Sequence, residues 1–484
     1  MAYPHGIDIK ENATSISAPI TGTAGLQVVF GTAPVNLLAD PYSAVNKLII
    51  AHSFAEAVAN LGYSTDYENY TLCQSMDANF RLFGVAPVIF CNVLDPAKHK
   101  TTQEETECEL SDGQATLKVT GMLLDTVVVK AGETKISNEN YITSFDDDGY
   151  VVVTLTAAGK TAVETGRIKI SGKKLDPAAV TETDIIGGYD SVTGEETGIE
   201  LVRQVFPKFS MTPGLLLAPG WSHNALVAAT LAAKCNEING TFTCECLIDI
   251  STENAKKYTD VEVEKQNLAC ISKHAILCWP MVAAMGKVFY YSAVLAALIS
   301  YTDASNDDVP SLSPSNIKIA VSGAVLKDGT EVLLDQIQAN DLNAVGVVTV
   351  LNSNGWRSWG NNTACYPGNI DPKDRWIACR RFFSWHGNSF ILSYFDRVDN
   401  PANYRLIEGL VDDENVRGNS LVAQGKAAGI RIEYKADENP VSQVLDGKIK
   451  FHQYLAPYTP AEFIENTLEF DPNMLKAALS GGEE

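Results

Sequence analysis

The sequence predicts an α/β and α+β multidomain protein in which a small all-β unit is set into an α/β chain and both ends are extended arms. Three observations carry that expectation. Apolar runs of strand length alternate with stretches at helical spacing before residue 98 and again after residue 198. Between them the texture changes to short Val/Thr/Ile runs separated by turn pairs. Both termini hold alternating residues set apart by polar or Pro-containing segments. At 484 residues the chain is about three times a typical domain of ~150, so two to four folded units are expected.

In order, residues 1–22 read as a linker arm, with Ile7 and Ile9 on one side of Asp8 and Lys10. Residues 23–98 read as the first α/β part. Leu26 to Val35 has the length and bounds of a buried strand. His52 to Leu61 sets Phe54, Ala55, Val58 and Leu61 at helical spacing, and a second strand, Val85 to Leu94, follows an amphipathic stretch at Cys73 to Phe83. Residues 99–198 form the inserted β-rich unit, punctuated by Asp112-Gly113, Ala131-Gly132, Asp148-Gly149 and Ser171-Gly172. Residues 199–365 resume the α/β pattern through the strand PGLLLAPG, a helix from Asn224 to Ile238 and a strand from Cys244 to Ile250. Further apolar runs lie at His274 to Val282, Ile317 to Val321 and Val345 to Leu351. Residues 366–484 begin with an Arg- and aromatic-rich stretch. Pro401 then opens a helix with Tyr404, Ile407, Leu410 and Val411 on one face, and Gly429 stops a helical region that resumes near Val416. At the end, Ile449, Phe451 and Leu455 alternate with polar neighbours, and Ile464, Leu468 and Phe470 share a face beyond Pro460. Such terminal strands can fold back or complete a neighbour's sheet, because an exposed edge accepts any chain with free backbone groups.

Acidic residues outnumber basic ones 59 to 37, giving a formal charge of −22 that repels phosphate backbones and anionic lipid. Direct nucleic-acid binding is not expected. Neither is membrane insertion, since no apolar stretch reaches the ~20 residues that span a bilayer. The charge is unevenly spread. Residues 101–200 hold 19 acidic and 8 basic side chains, which places that unit on an outer, solvated face, whereas residues 371–431 hold 8 acidic and 9 basic ones. The first residues lack a basic start, an apolar run and a small-residue cleavage site, so folding in a cytoplasm is expected. The ten cysteines lie mostly in apolar runs and read as free, buried thiols.

No pattern demands catalysis or a cofactor. Gly220-Trp221-Ser222-His223-Asn224 approximates a nucleophile elbow, but Asn224 stands where the second glycine is required, and an N-cap at Ser222 or Asn224 explains the segment more simply. Phosphate-cradling glycine motifs are missing. Asp146-Asp147-Asp148 precedes a hairpin Gly without the spaced ligands of a calcium loop, and Cys235, Cys244 and Cys246 lack zinc spacing. No catalytic, cofactor or metal residue is therefore assigned. The cluster Trp356, Trp359, Arg375, Trp376, Arg380 and Arg381 holds the residue types that dominate buried contacts, within the subunit or between subunits.

Several segments, taken in order, resemble the contractile tail sheath proteins of phages and phage-tail-like bacteriocins. They are IIGGYDSVTGEETGIELV from Ile185 to Val202, PGLLLAPG from Pro213 to Gly220, SPSN from Ser313 to Asn316, NGWRSWGNNTA from Asn354 to Ala364, and RWIACRRF from Arg375 to Phe382. The resemblance is weak over residues 20–100 and good over 185–470. One departure is Asn362, where the family's usual sequence is Trp-Gly-Asn-Arg-Thr. The resemblance implies a non-enzymatic structural subunit of a virion tail or phage-tail-like particle, assembled in the bacterial host cytoplasm. It implies stacked hexameric rings around a tail tube and collapse that drives the tube through an envelope. It also implies baseplate and tail terminator partners, and donated terminal strands that link neighbours. An α/β hydrolase-like enzyme using Ser222 and a non-contractile self-assembling shell protein are the alternatives.

Overall fold

Strands buried on both faces are built mainly from apolar runs, and the chain supplies such runs where its central sheet forms, with Gln27, Asn92, Glu245 and Asp249 as buried polar exceptions. The computed structural model describes residues 19–161, 163 and 166–479; Ile7 and Ile9 lie outside them. The eight strands of this sheet are β1 (Gln27–Gly31), β2 (Leu48–Ala51), β3 (Val88–Asn92), β4 (Leu215–Leu217), β5 (Glu245–Asp249), β6 (Ala275–Cys278), β7 (Val347–Asn352) and β8 (Trp356–Trp359). Their spatial order is β8-β7-β6-β5-β4-β1-β3-β2. All neighbours from β7 to β3 run parallel, and the two edge strands pair antiparallel. β1, β3, β4, β5 and β6 are buried at every position.

Helices α1 (Phe54–Leu61), α2 (Ala225–Lys234), α3 (Val261–Leu268), α4 (Tyr291–Ser305) and α5 (Gln336–Ala344) accompany the sheet. Local chemistry sets their starts: the Ser53 hydroxyl accepts the Glu56 N–H, Asn224 accepts the Leu226 N–H, and Asp335 with Gln338 forms a capping box. α4 packs on β4, β5 and β6 and is buried along most of its length.

Residues 100–175 hold a four-stranded and a three-stranded sheet around their own small apolar cluster, which includes Leu117, Val129, Val151, Val153, Ile168 and Ile170. Ser171-Gly172, expected as a turn, instead lies inside the strand Arg167–Leu175, at an irregularity in its pairing with Lys100–Glu109. Asp146 turns its own loop, accepting the N–H groups of Asp148 and Tyr150 at 3.1 and 2.8 Å. Ile317 to Val321 forms no strand beyond a single bridge at Lys318.

The C-terminal part comprises α6 (Ile377–Tyr394), α7 (Tyr404–Ala423), β9 (Ala427–Tyr434) and β10 (Phe451–Pro457). Here the structure corrects the sequence reading. α7 is one continuous helix capped by Asn403, whose side chain accepts the Leu406 N–H at 3.0 Å, and Pro401 lies ahead of it. Gly429 stops nothing: it sits in β9, at a bulge opposite Ala456. Phe382, Leu421, Ala427 and Ile430 form a small core beneath the hairpin.

Candidate assembly interface

β9 and β10 make a two-stranded antiparallel sheet in register Ile430↔Leu455, Ile432↔Gln453 and Tyr434↔Phe451. A two-stranded sheet has two outer edges, and here they differ. On β9, the Asn415 side chain of α7 satisfies Ile432: its Oδ1 accepts the Ile432 N–H and its Nδ2 donates to the Ile432 carbonyl, both at 3.0 Å. Because the main-chain groups of Ile432 turn toward Asn415, its pair with Gln453 is a non-hydrogen-bonded one. The N–H and C=O of Gln453, and by the same alternation those of Phe451 and Leu455, therefore point outward along β10. No strand covers that edge among the described residues.

Buried polar groups hold the hairpin onto the helices. Glu414 of α7, fully buried, accepts from Gln453 Nε2 at 2.9 Å, faces His386 Nε2 of α6 at 3.0 Å and Arg417 at 3.2 Å, and accepts the Tyr394 hydroxyl at 3.0 Å. Burial alone would raise the Glu414 pKa. The hydrogen bond from His386 and the charge of Arg417 reverse that and hold it below the usual range, so the carboxylate stays ionised.

Beyond β10 the chain changes character. Residues 458–471 hold no helix or strand, and Phe463, Ile464, Leu468 and Phe470 are 83, 83, 87 and 79% exposed. A short helix, Pro472–Leu479, follows with Met474 and Leu479 exposed as well. Ile449 lies two residues ahead of β10. Single apolar residues on a surface are ordinary, but such a run on one segment marks a contact surface.

The Arg/Trp cluster is placed piecemeal. Arg375 stacks against Tyr366 and Trp376, with its guanidinium carbon 4.2 and 3.8 Å from the ring centres, and donates from Nε to Asn362 Oδ1 at 3.0 Å. It also lies 3.6 Å from Glu462 of the terminal arm. Arg380 pairs with Asp374 at 3.1 Å, while Arg381 turns inward to a buried bidentate pair with Asp303. Trp356 and Trp359 stand apart on β8. Trp359, Asn361 and Asn362 line a cavity of about 690 Å³ that Pro460, Phe463 and Ile464 of the arm also border. Sequence reasoning missed β9, Asn415 and the Glu414–His386 pair; only the alternation through Gln453 pointed toward them.

Ser222 is fully buried, donates to Asp249 Oδ2 at 3.2 Å and accepts the Asp249 N–H at 2.9 Å. The adjacent His223 ring instead stacks parallel to Tyr290 at 6.3 Å. Burial pushes the Asp249 pKa up to about 6, against the bonds it accepts from Ser292 and Ser222. Ser222 thus serves a buried hydrogen-bond network. Among the described residues no group of His, Cys, Asp or Glu is arranged to hold a metal ion, and no helix is long and apolar enough to cross a membrane. All ten cysteines are free and buried.

No family model matches the chain. A tail sheath protein of Burkholderia phage BcepMu is 24% identical over 501 aligned residues, covering 99% of both chains. The major tail sheath protein of Serratia phage KSP20 is 23% identical over 65% of this chain and 77% of its own length. Over its length the chain is similar to contractile tail sheath proteins. Solved structures agree with the sheath assignment at the level of fold. A chain of the anti-feeding prophage baseplate superposes with a TM-score of 0.59 at 15% identity, covering 97% of this chain and all of that one. A chain of the PVC sheath complex in its contracted state, from an extracellular contractile injection system, gives 0.58 at 15% identity, over 98% and 99% of the two chains.

Proposed function

We propose that this chain is a structural subunit of a contractile tail sheath, assembling as stacked hexameric rings around a tail tube and collapsing to drive that tube through an envelope. The observation that carries the reading is the pairing of an open β10 edge with an exposed apolar terminal arm in the same chain. Ladder bonds from a donated strand satisfy the outward groups of Phe451, Gln453 and Leu455, and Ile464, Leu468 and Phe470 bury their side chains in a neighbouring copy. Tyr3 to Lys10, with Ile7 and Ile9, are the second segment proposed for donation to a neighbour. Such links keep subunits connected while their rigid bodies rotate, so collapse exchanges one set of contacts for a more favourable set without a bound nucleotide.

The near-neutral C-terminal part, including α6 and α7, faces the tube, and the acidic unit within residues 99–198 faces solvent. The baseplate and tail terminator cap the two ends. The test is electron microscopy of purified protein: the full chain forms striated hollow tubes, and a chain lacking residues 1–18 stays a folded monomer. Normal tubes from the truncated chain overturn strand donation. Labelling of residues 371–431 in assembled tubes, with residues 99–198 protected, overturns the orientation.

A further inference from the structure

Three separate attachments converge on one corner at the end of α4. The segment leading in from the N-terminal arm lies along it: Asp308 accepts the Thr23 N–H at 2.9 Å from either oxygen, the Ala24 N–H at 2.8 Å and the Thr23 hydroxyl at 2.8 Å. The approach is close. A Cβ on Gly22 would sit 2.7 Å from the Ala304 Cβ, and one on Gly25 would sit 2.7 Å from the Ser300 Cα. Asp303, one turn earlier, forms the buried pair with Arg381 of α6, and Arg381 Nη2 also donates to the Ala24 carbonyl at 3.4 Å. Between them, Lys426, at the root of β9, donates to the Asn306 carbonyl at 3.0 Å and to Asn306 Oδ1 at 2.6 Å, and pairs with Asp307 at 3.0 Å.

This arrangement is costly for a helix end that only needs to stop. Three carboxylates sit at the negative pole of α4, where the helix dipole disfavours them, and Asp307 and Asp308 both adopt left-handed backbone angles, with φ of 59° and 58°. Each carboxylate is offset by a cation or by N–H donors from a different part of the chain. In a chain whose ends link it to neighbours, those parts are the arm root, the strut helix α6 and the strand-accepting hairpin.

We infer that the 303–308 corner is the mechanical joint through which tension on the N-terminal arm reaches the β9–β10 hairpin. The inference rests on the strand-donation reading above. It adds that the two connection points of a subunit are tied in series through Asp308, the corner and Lys426, so a pull arriving at Thr23 is delivered to the hairpin and on to the next subunit.

The test compares D308A, D308N, K426M and the D308A/K426M double variant in the full-length chain. In the isolated subunit, D308A exchanges the Thr23 and Ala24 amide hydrogens roughly tenfold faster or more, as loss of bonds to a charged acceptor implies, while unfolding of the core is unchanged. In triggered sheaths, D308A and K426M each yield contracted pieces severalfold shorter than wild type, and the double variant is no worse than the poorer single, because links in series fail once. D308N keeps one oxygen for both amides and restores the length. Failure of D308A to assemble, with D308N assembling, also supports the joint. D308A sheaths of wild-type length with freely exchanging Thr23 overturn it, as does strict additivity in the double variant or failure of D308N to rescue. Deletion of residues 1–18 separates the two ideas. If that chain still forms tubes, strand donation fails; if it does not while D308A contracts intact, only the joint fails.

Discussion

The central sheet and the C-terminal hairpin are built from similar lengths of strand and end in opposite conditions. β1, β3, β4, β5 and β6 are closed in: both faces are covered, both ladders are made, and every residue is buried. β10 has one ladder, an open edge and side chains that are half-buried or exposed, and the segment after it presents Phe463, Ile464, Leu468 and Phe470 to solvent. The sheet is complete in one chain, whereas the hairpin keeps an uncovered β10 edge among the described residues. The difference places the buried core in the first, and under the proposed function it places the contacts between subunits in the second; it can be broken in either direction.

The largest expected effect is on assembly. Removing residues 458–484 abolishes polymerisation and leaves the unfolding midpoint of the subunit where it was, because none of that segment's described residues is buried; sedimentation and chemical denaturation on the same sample check both halves. The converse variant is Leu216→Ala, in the middle of β4 at 0% exposure, which removes buried methyl groups and leaves a cavity. It lowers subunit stability by about 2–5 kcal/mol. The same change at Leu468, 87% exposed, leaves denaturation of the monomer unaltered and weakens polymerisation. If Leu468→Ala destabilised the monomer, the division between the two regions would be wrong.

That division also explains what could be read in advance. β1, β3 and β4 were legible because a strand buried on both faces is a continuous apolar run between turn residues, and the start of α2 was legible because Asn224 carries its own cap. β9 was not. Ala427-Ala428-Gly429 reads as the fading end of a helix, and the register of β9 with β10 is set by partners 17 to 30 residues away in sequence. α7 runs unbroken through Asp412 and Asp413, which are exposed, with Asp413 3.6 Å from Arg397. The grip of Asp308 on Thr23 spans 285 residues and leaves no local trace. On the candidate interface, the alternation around Phe451 and Leu455 was visible, while the Asn415 contact that distinguishes the two edges belongs to tertiary structure alone.

A middle-sized effect sharpens the account of the sheet. Asp249 ends β5 fully buried, and its pKa is pushed up to about 6 from an ordinary 3.8 chiefly by desolvation. A raised carboxylate pKa destabilises the fold as pH increases. Below about pH 4 both folded and unfolded chains hold the proton; between about 4 and 6 only the folded chain does; above 6 the full penalty applies. Two units correspond to about 3 kcal/mol. Asp249→Asn keeps an acceptor for the Ser292 N–H and removes the charge, so it stabilises the subunit at pH 7 by up to that amount and gives no advantage at pH 3.5. Denaturant midpoints measured at both pH values check this; an equal gain at both would assign the effect to packing.

The smallest effect concerns the seam between the regions. Asn362 Oδ1 accepts from Arg375 Nε at 3.0 Å while its Nδ2 donates to the Asn343 carbonyl at 3.3 Å. Arg375, already stacked on Tyr366 and Trp376, faces Glu462 at the base of the terminal arm. An arginine at 362 would set a second guanidinium beside the first; asparagine instead orients the one that is there. Asn362→Ala therefore removes about 1 kcal/mol from subunit stability. It also frees Arg375 to turn, so protease cleavage within residues 458–471 becomes faster in the monomer. If stability falls and cleavage does not change, Asn362 braces the β8 loop alone, and the arm leaves the subunit without help from the core.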